Sequence, residues 1–446
     1  MNTLSTRARA AAAAVQKGAF FLCLAFAALP AAAQTNGSNS PYSRYGFGLP
    51  ADGAQSFNKG MAGTGYALSD GEQLNFKNPA TYAAIDSAAF LFDVGFTLQN
   101  ANIGTSRNRT NARNARVDYA AAGFRMLPGF GLSLGFRPYS TVGYNLSGTS
   151  TFERAGIDVT QTETYNGDGG LREAYLGLGF SPFKGLSVGF NAGYLWGELN
   201  HSVKASFSDA TIYTRNRKYE ADISTYKVEF GLQYHKRLSP LHAASIGLVY
   251  GLGHDIDSRA SYYDQQISST TVVSADTQRV NKAFALPHTF GVGLGWNYAG
   301  KLRVGLDYTF QKWGSVKSPV LDGTTYVSRA GELKDRHLFS LGAEFMPNPR
   351  GNNWRDHIRY SLGLTYATPY SRVNGEDGPS EYGASLGVAL PITTLYTYTG
   401  NYPVLHLSAG YRRVQPKHSW LVSENYLWVS VGLTFNEMWF QKWRVR

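Results

Sequence analysis

The stretch that decides the fold lies at residues 289–311 and reads TFGVGLGWNYAGKLRVGLDYTFQ. Successive side chains of a β-strand point to opposite faces, so residues two apart share a face. Between Phe290 and Tyr298 one face is entirely aliphatic or aromatic, and the other carries Gly291, Gly293, Gly295 and Asn297. After Ala299-Gly300 the alternation resumes, with Leu302, Val304, Leu306, Tyr308 and Phe310 set against Arg303, Gly305, Asp307, Thr309 and Gln311. The stretch therefore predicts a β-hairpin with one apolar face and one glycine-lined or charged face.

Two classes of β-protein fit such a hairpin. The wall of a membrane barrel turns its apolar face to lipid and its polar face to the lumen, whereas a soluble sandwich turns the apolar face inward. Periodicity alone does not separate the two classes, so the location of the protein has to be considered first. Arg7, Arg9 and Lys17 precede an apolar run at 18–29, and Ala31-Ala32-Ala33 offers a small-residue cleavage site. Residues 1–33 are therefore predicted to be a signal peptide, because a run of about a dozen residues is too short to span a bilayer.

The composition agrees with an exported membrane barrel. The chain has 49 glycines, 29 tyrosines and 8 tryptophans, and Tyr and Trp collect at membrane interfaces. Its 42 Lys and Arg residues outnumber 31 Asp and Glu residues, but they are scattered over turns and alternating positions, which argues against a nucleic-acid partner. The one cysteine, Cys23, lies inside the predicted signal peptide. We therefore expect no disulfide and no cysteine metal site in the mature chain.

From residue 88 onward the chain divides into fourteen segments that are long enough for transmembrane strands, which need about 9–11 residues. They are predicted near 88–102, 114–127, 131–148, 170–182, 186–207, 216–238, 241–262, 277–298, 301–316, 333–347, 355–370, 380–396, 401–414 and 424–436. Single-chain outer-membrane barrels have an even strand number. The predicted fold class is therefore all-β, a transmembrane antiparallel β-barrel of about 14 strands.

The connections between these segments alternate in length. Short turns are predicted at 127–129, 182–185, 238–240 and 299–300, and the stretches between them are longer and polar, at 103–113, 149–169, 208–215, 263–276, 317–332, 371–379 and 415–423. Outer-membrane barrels have short periplasmic turns and long external loops. The alternation therefore predicts that both ends of the barrel chain lie in the periplasm. The predicted location of the barrel is the outer membrane of a Gram-negative bacterium.

Residues 40–87 do not alternate. They are rich in small residues, with GMAGTGYALSD at 60–70 followed by Asn78-Pro79-Ala80. A fourteen-strand barrel is too wide to be filled by its own side chains, so residues 34–87 are predicted to form a periplasmic N-terminal segment whose later part is a hatch inside the lumen. The alternative interpretation of the same composition is a disordered periplasmic leader.

The small-residue segment, the Asn78-Pro79-Ala80 motif and the strand that follows resemble the FadL/TodX (OMPP1) family of outer-membrane transport proteins. The motif match covers the hatch, and the remainder of the chain is similar only in strand count and loop parity. The stretch SPYSRYG at 40–46 and the ending FNEMWF at 435–440 are most similar to the Bacteroidota-type branch. The resemblance implies passive uptake of hydrophobic compounds, such as long-chain fatty acids or aromatic hydrocarbons, with no cofactor.

In that family an inward kink of the third strand opens the wall sideways, and this chain has a matching irregularity. Arg137-Pro138 and Gly143 interrupt the third predicted strand, and proline cannot donate a ladder hydrogen bond. These three residues are the candidate lateral gate. The alternative is a proline placed near the external rim, where a strand is less constrained.

No motif for catalysis or metal binding accompanies the nine histidines, so neither an enzyme nor a metal site is expected. Several charged residues fall on the inward face of their strands, and they are expected to pair with the hatch or across the lumen, or else to guide anions. They are Arg125, Arg137, Arg303, Asp307, Glu344, Arg359 and Arg412.

The barrel is predicted to span residues 88–436, and residues 437–446 are predicted to form an aromatic and basic periplasmic tail. Expected partners are outer-membrane lipids and lipopolysaccharide, a hydrophobic small-molecule ligand, and outer-membrane proteins. The tail also fits a rival function, because relatives of the FadL family serve as non-transporting accessory barrels in secretion or barrel-assembly complexes. Transport predicts an apolar ligand pocket and a gap in the wall, whereas the accessory function predicts a sealed barrel.

Overall fold

The computed structural model describes residues 39–87, 89–105, 108–268, 271–322, 325–351, 353–373, 375–392 and 402–438. The predicted signal peptide, residues 1–33, and most of the predicted tail, residues 439–446, lie outside these ranges. Within them, no helix combines the length and apolar character needed to cross a membrane.

Fourteen wall strands form one closed antiparallel sheet, which confirms the predicted fold class. They are β1 (Ala89–Gly104), β2 (Arg109–Leu127), β3 (Phe130–Pro138 and Ser140–Arg154), β4 (Ile157–Phe183), β5 (Leu186–Phe207), β6 (Thr214–Arg237), β7 (His242–Gly251 and Arg259–Ser268), β8 (Thr271–Asn281 and Thr289–Tyr298), β9 (Leu302–Gln311), β10 (Arg336–Phe345), β11 (Arg359–Ala367), β12 (Ser380–Pro391), β13 (Val404–Gln415) and β14 (Ser423–Met438). The sheet closes where β1 pairs with β14, from Ala89↔Met438 to Gly104↔Ser423.

The hairpin of β8 and β9 shows which face of the wall points outward. The apolar residues of β8 in this hairpin are all exposed: Phe290, Val292, Leu294, Trp296 and Tyr298. The exposed fraction of Leu294 is 52%. The glycines between them are buried. Because a closed sheet has only an inside and an outside, the alternation predicted from residues 289–311 places the apolar face on the outside of the barrel.

The barrel wall has two very different heights. The strands β4, β5 and β6 contain 27, 22 and 24 residues, whereas β9 and β10 contain 10 each. A crossing needs only about 9–11 residues, so β3 to β8 continue well beyond the apolar belt at one end. We call this end the loop end and the opposite end, with turns at 128–129 and 184–185, the turn end.

The prediction of loops at 149–169 and 263–276 is wrong, because most of these residues extend β3, β4, β7 and β8. Ala155 and Gly156 alone turn the chain between β3 and β4, both with positive φ (52° and 79°), as tight hairpins require. Residues 145–154 are exposed on both faces of β3. A strand wetted on both faces has no reason to alternate apolar and polar residues, so its sequence looks like a loop.

The remaining elements are short. Helical turns lie at Pro41–Arg44, Ser56–Lys59, Pro79–Ala84, Trp313–Ser315 and Trp354–His357, and two-residue strands at Leu49–Pro50, Asp255–Ile256, Phe284–Ala285, Arg372–Val373 and Glu376–Asp377. A hairpin of Lys317–Asp322 with Thr325–Ala330 stands at the loop end between β9 and β10.

Candidate functional site

The N-terminal segment, residues 39–87, packs against the inner face of the wall along most of its length. At the loop end Ser40 Oγ donates to Glu424 (2.5 Å), and Tyr42 donates its hydroxyl hydrogen to the carbonyl of Val422 (2.6 Å). At the turn end the helical turn Pro79–Ala84 lies on β3, β4, β5 and β6. The segment therefore passes from the loop end to the turn end before β1 begins.

Glycines of the wall make this close packing physically feasible. A Cβ added to Gly131 would overlap the Tyr82 backbone, and one added to Gly363 would overlap the backbone of Met61 and Ala62. Gly247 and Gly293 stand in the same way against Tyr66. The inward-facing glycines thus make room for a second layer of polypeptide.

The Asn78-Pro79-Ala80 motif is a helix start that is tied to the wall. The Asn78 side-chain oxygen accepts from Ala80 N (3.1 Å), and its amide donates to the carbonyls of Tyr66 (2.7 Å) and Leu232 of β6 (3.3 Å). Asparagine is a favoured N-cap and proline suits the first helical position. Asn78 thereby connects two parts of the segment and fixes both to β6.

Buried and half-buried charges join the middle of the segment to β9 and β11. Asp307 accepts from the backbone nitrogens of Gly65 (2.8 Å) and Tyr66 (3.1 Å), and Lys77 lies 3.2 Å from it. Asp70 pairs with Arg303 (2.8 Å) and Arg359 (3.1 Å). Glu72 pairs with Arg359 (3.0 Å) and Glu344 with Arg303.

The Asp70 carboxyl is an anion in this network. Burial raises its pKa, but Arg359 and then Arg303 outweigh burial and hold the pKa below its ordinary range. Of the seven inward charges singled out from the sequence, Arg303, Asp307 and Arg359 contact the N-terminal segment through ion pairs or hydrogen bonds. Arg137 contacts the segment through the ring of Phe76. Arg137 and Arg412 pair with wall carboxylates, Glu344 pairs with Arg303, and Arg125 hydrogen-bonds within its own strand.

The pairing of β2 with β3 is incomplete, and we call this region the β2–β3 break. It pairs from Leu127↔Phe130 to Ala120↔Phe136 and then ends. On its other side β3 stays paired with β4 as far as Arg154↔Ile157. Beyond Ala120, β2 and β3 therefore diverge, and Leu49–Pro50 of the N-terminal segment pairs with Ser140–Thr141 instead.

Pro138 stands at the break for a reason of backbone geometry. Tyr139 N donates to the carbonyl of Leu171 in β4 (2.8 Å). Backbone N–H groups alternate in direction along a strand, so the nitrogen of Pro138 faces β2, where proline has no hydrogen to donate. The ladder to β2 loses its next bond at this position.

The other two candidate gate residues make different contacts. Gly143 donates its N–H to Ser43 Oγ of the N-terminal segment (3.2 Å). Arg137 pairs with Glu173 (3.0 Å) and Glu229 (2.6 Å), and its guanidinium lies 4.9 Å from the ring centre of Phe76. Arg137 is therefore part of a lumen charge cluster beside the break, together with Lys227.

A second charge cluster beside the break was missed from the sequence. Lys59, only 4% exposed, lies 2.9 Å from Asp52 and 3.4 Å from Asp118. Arg116 lies 2.8 Å from Asp118 and 3.3 Å from Asp52. The inward alternation of Arg116 and Asp118 on β2 was a usable signal, whereas Asp52 and Lys59 lie in a segment without periodicity.

The cavities around residues 50–54 are small, and each is lined by apolar as well as charged residues. Three of them measure about 40, 120 and 160 Å³, less than the 300–1,000 Å³ typical of small-molecule sites. Toward the loop end, Phe47 fills the centre of a large apolar cluster. Its ring lies 5.2 Å from Phe284 and 5.9 Å from Trp313.

Three solved structures have the same fold. A FadL homologue from Pseudomonas aeruginosa covers 87% of this chain and 99% of its own at 11% identity, with a TM-score of 0.58. The toluene transporters TbuX of Ralstonia pickettii (16% identity, 86% and 98% covered) and TodX of Pseudomonas putida (13%, 88% and 100%) each give a TM-score of 0.57. At these identities the likeness establishes the fold alone. Among curated proteins, none matches the sequence.

The fold locates the protein. A closed fourteen-strand barrel with an outward apolar belt, shared with FadL-type proteins, belongs in the outer membrane of a Gram-negative bacterium. The predicted resemblance to FadL/TodX-type proteins is confirmed at the level of the fold, while the family model that matches the sequence has a different name. That model, BamG, matches residues 15–445, nearly the whole sequence, and the chain belongs to the BamG family.

Proposed function

We propose that the barrel gives hydrophobic compounds a passive route from the cell surface into the outer membrane, through the wall at the β2–β3 break. The observation that supports this most directly is the ladder that ends at Ala120↔Phe136 while β3 stays paired with β4. Unlike a central pore, a sideways opening releases an apolar molecule into hydrocarbon rather than into water. The hydrocarbon and toluene transporters among the structural neighbours support the same substrate class.

In this proposal the N-terminal segment is the hatch, with the turn end in the periplasm and the loop end outside. Its glycine contacts and buried ion pairs hold residues 56–84 against the wall. Residues 47–54 stand between the apolar cluster and the break, with Phe47 filling the cluster and Leu49–Pro50 paired to β3. Passage of a ligand therefore requires these residues to move.

Replacing Pro138 tests the route. Pro138→Val restores an N–H that faces β2, so the ladder lengthens and uptake of labelled oleate or toluene should fall several-fold. The assay uses a Gram-negative host without its own transporter for the compound, and the amount of folded barrel is measured in parallel. Pro182→Val, near the turn end of β4, is the matched control and should leave uptake unchanged. Unaltered uptake in the Pro138 variant would remove the proposed route.

A second function is supported by the filled lumen. The apolar cluster is occupied by Phe47, and the three cavities around residues 50–54 are smaller than typical small-molecule sites. These features suit a non-transporting accessory barrel in an outer-membrane secretion or barrel-assembly complex, and the match to BamG rather than to FadL agrees with it. Extraction in mild detergent followed by mass spectrometry distinguishes the two functions. Transport predicts bound hydrophobic molecules, and the accessory function predicts stoichiometric co-isolated proteins with no effect of Pro138→Val on uptake.

A further inference from the structure

A separate cavity opens at the loop end, above the apolar cluster, and we call it the outer chamber. It measures about 640 Å³, within the size range of small-molecule sites. Its walls come from four parts of the chain: Arg44–Gly46 of the N-terminal segment, the tall strands β4 to β8, residues 318–333 between β9 and β10, and Arg372 with Gly375 between β11 and β12. None of the residues at the β2–β3 break lines it.

One side of the outer chamber is a row of aromatic rings on the tall strands. His201 and Tyr219 stack with ring centres 5.4 Å apart, Tyr219 and Tyr262 lie 4.8 Å apart, and Tyr326 of the hairpin stacks on Tyr262. Within the described chain, no group hydrogen-bonds to the hydroxyls of Tyr219, Tyr262 or Tyr326. Tyr219 and Tyr326, which are half-buried, can therefore offer their hydroxyls to a ligand, whereas Tyr262 is buried beneath Tyr326.

The other side is strongly basic. Arg44, Arg217 and Arg372 line the chamber against a single carboxylate, Glu332. Lys218 also borders it, but the Lys218 ammonium is paired with Glu220. The Arg44 guanidinium lies 5.1 Å from the ring centre of Tyr165, and Arg372 donates to the carbonyl of Gly331 (3.0 Å). No carboxylate of the described residues lies within ion-pair distance of Arg44, Arg217 or Arg372. By contrast Arg215, two residues from Arg217, is held by Asp264.

We propose that the outer chamber binds a small acidic saccharide at the cell surface. Guanidinium groups from separate elements provide charge-assisted hydrogen bonds to carboxylates, and tyrosine hydroxyls and ring surfaces suit a sugar's hydroxyls and C–H faces. A hydrocarbon would remove water from three guanidiniums without replacing its hydrogen bonds, which is unfavourable. A simple inorganic anion would leave most of the chamber and its free phenols unused. The site is therefore distinct from the proposed hydrophobic route.

Calorimetric titration of the detergent-solubilised full chain tests this inference with digalacturonate as the probe. Maltose, a neutral disaccharide of similar size, and sodium phosphate serve as comparison ligands. We expect saturable binding of digalacturonate that is much tighter than binding of either comparison ligand. Binding should weaken as NaCl rises from about 50 to about 500 mM, because salt screens exposed charges.

Two variants and one control connect the binding to the chamber. Arg217→Gln/Arg372→Gln should weaken digalacturonate binding about tenfold or more, and Tyr326→Phe about two- to tenfold through loss of one neutral hydrogen bond. Arg154→Gln/Arg413→Gln removes the same charge from exposed positions outside the chamber and should change binding little. All variants should migrate as folded barrels in unheated gels.

Two outcomes would overturn the inference. One is digalacturonate binding no tighter than that of maltose or phosphate by a folded barrel. The other is equal weakening by the chamber variant and the control variant, which would show that overall charge rather than the chamber attracts the ligand.

Discussion

Two pairs of neighbouring strands in the same wall differ in how completely they pair, and we call the edge shared by each pair a seam. The β9–β10 seam is paired over ten residues, from Leu302↔Phe345 to Gln311↔Arg336. The β2–β3 seam has seven pairs and ends at Ala120↔Phe136, although β2 has 19 residues and β3 continues to Arg154. The N-terminal segment contacts both seams, through buried ion pairs at β9 and through a two-residue ladder at β3.

The difference between the seams separates anchoring from opening. At the complete seam, Asp307 and Arg303 face inward without disturbing the ladder and hold the segment in place. At the broken seam Pro138 removes a donor toward β2, and the segment itself occupies the vacant edge of β3. We therefore expect changes at the first seam to affect stability and changes at the second seam to affect passage.

The largest effect is expected from locking the broken seam. Leu49 and Thr141 stand opposite each other in an antiparallel ladder, where Cα atoms lie about 4.5–5.5 Å apart and a disulfide is feasible. Leu49→Cys/Thr141→Cys should reduce oleate or toluene uptake to the background level, because residues 47–54 can no longer move. A reducing agent should restore uptake.

The matched lock lies between two wall strands. Trp296→Cys/Val304→Cys joins opposite residues of β8 and β9 on the lipid face and should leave uptake unchanged. If the lock between Leu49 and Thr141 formed fully and uptake continued, movement of the N-terminal segment would not be part of the route.

A smaller effect, on stability, is expected from the anchor at β9. Asp307→Asn leaves Lys77 buried without its partner and should lower the free energy of unfolding by about 3–5 kcal/mol, as for other broken buried pairs. Urea unfolding in detergent measures this change. Asp255→Asn breaks the exposed pair with Lys317 (2.6 Å) and should change stability by less than about 1 kcal/mol. Equal values for the two variants would contradict the anchoring role of Asp307.

The smallest effects are expected from placing an arginine on β3 on either side of the break, and the quantity compared is folding stability. Leu134 and Leu146 are both exposed, at 47% and 38%, but only Leu134 belongs to the apolar belt. Leu134→Arg should lower folding stability by about 2–4 kcal/mol, the cost of a lipid-facing arginine near mid-membrane. Leu146→Arg should change it by less than about 0.5 kcal/mol, as for an ordinary wet surface. A large effect at Leu146 would mean that the tall wall is in lipid.

Much of the barrel follows from residues close together in the sequence. The alternation of Phe290 to Tyr298 with glycine predicted the strands and their apolar face, because strand geometry fixes side-chain direction. Asn78-Pro79-Ala80 was found as a motif for an equally local reason, since an N-cap and a first-position proline act within three residues. The prediction of loops at 149–169 and 263–276 was wrong because a strand that water contacts on both faces does not need to alternate apolar and polar residues.

The sequence by itself determined the class of the protein: an exported barrel with an apolar outer face, a glycine-lined inner face and an interruption at Pro138. Only the tertiary structure decided that Phe47 fills the apolar cluster, that Leu49–Pro50 takes the edge which β2 leaves, and that Arg44, Arg217 and Arg372 meet at one chamber. The physical reason is separation along the chain. Strand periodicity is a local property of the backbone, whereas these contacts join residues tens to hundreds of positions apart, and their partners are chosen by closure of the barrel.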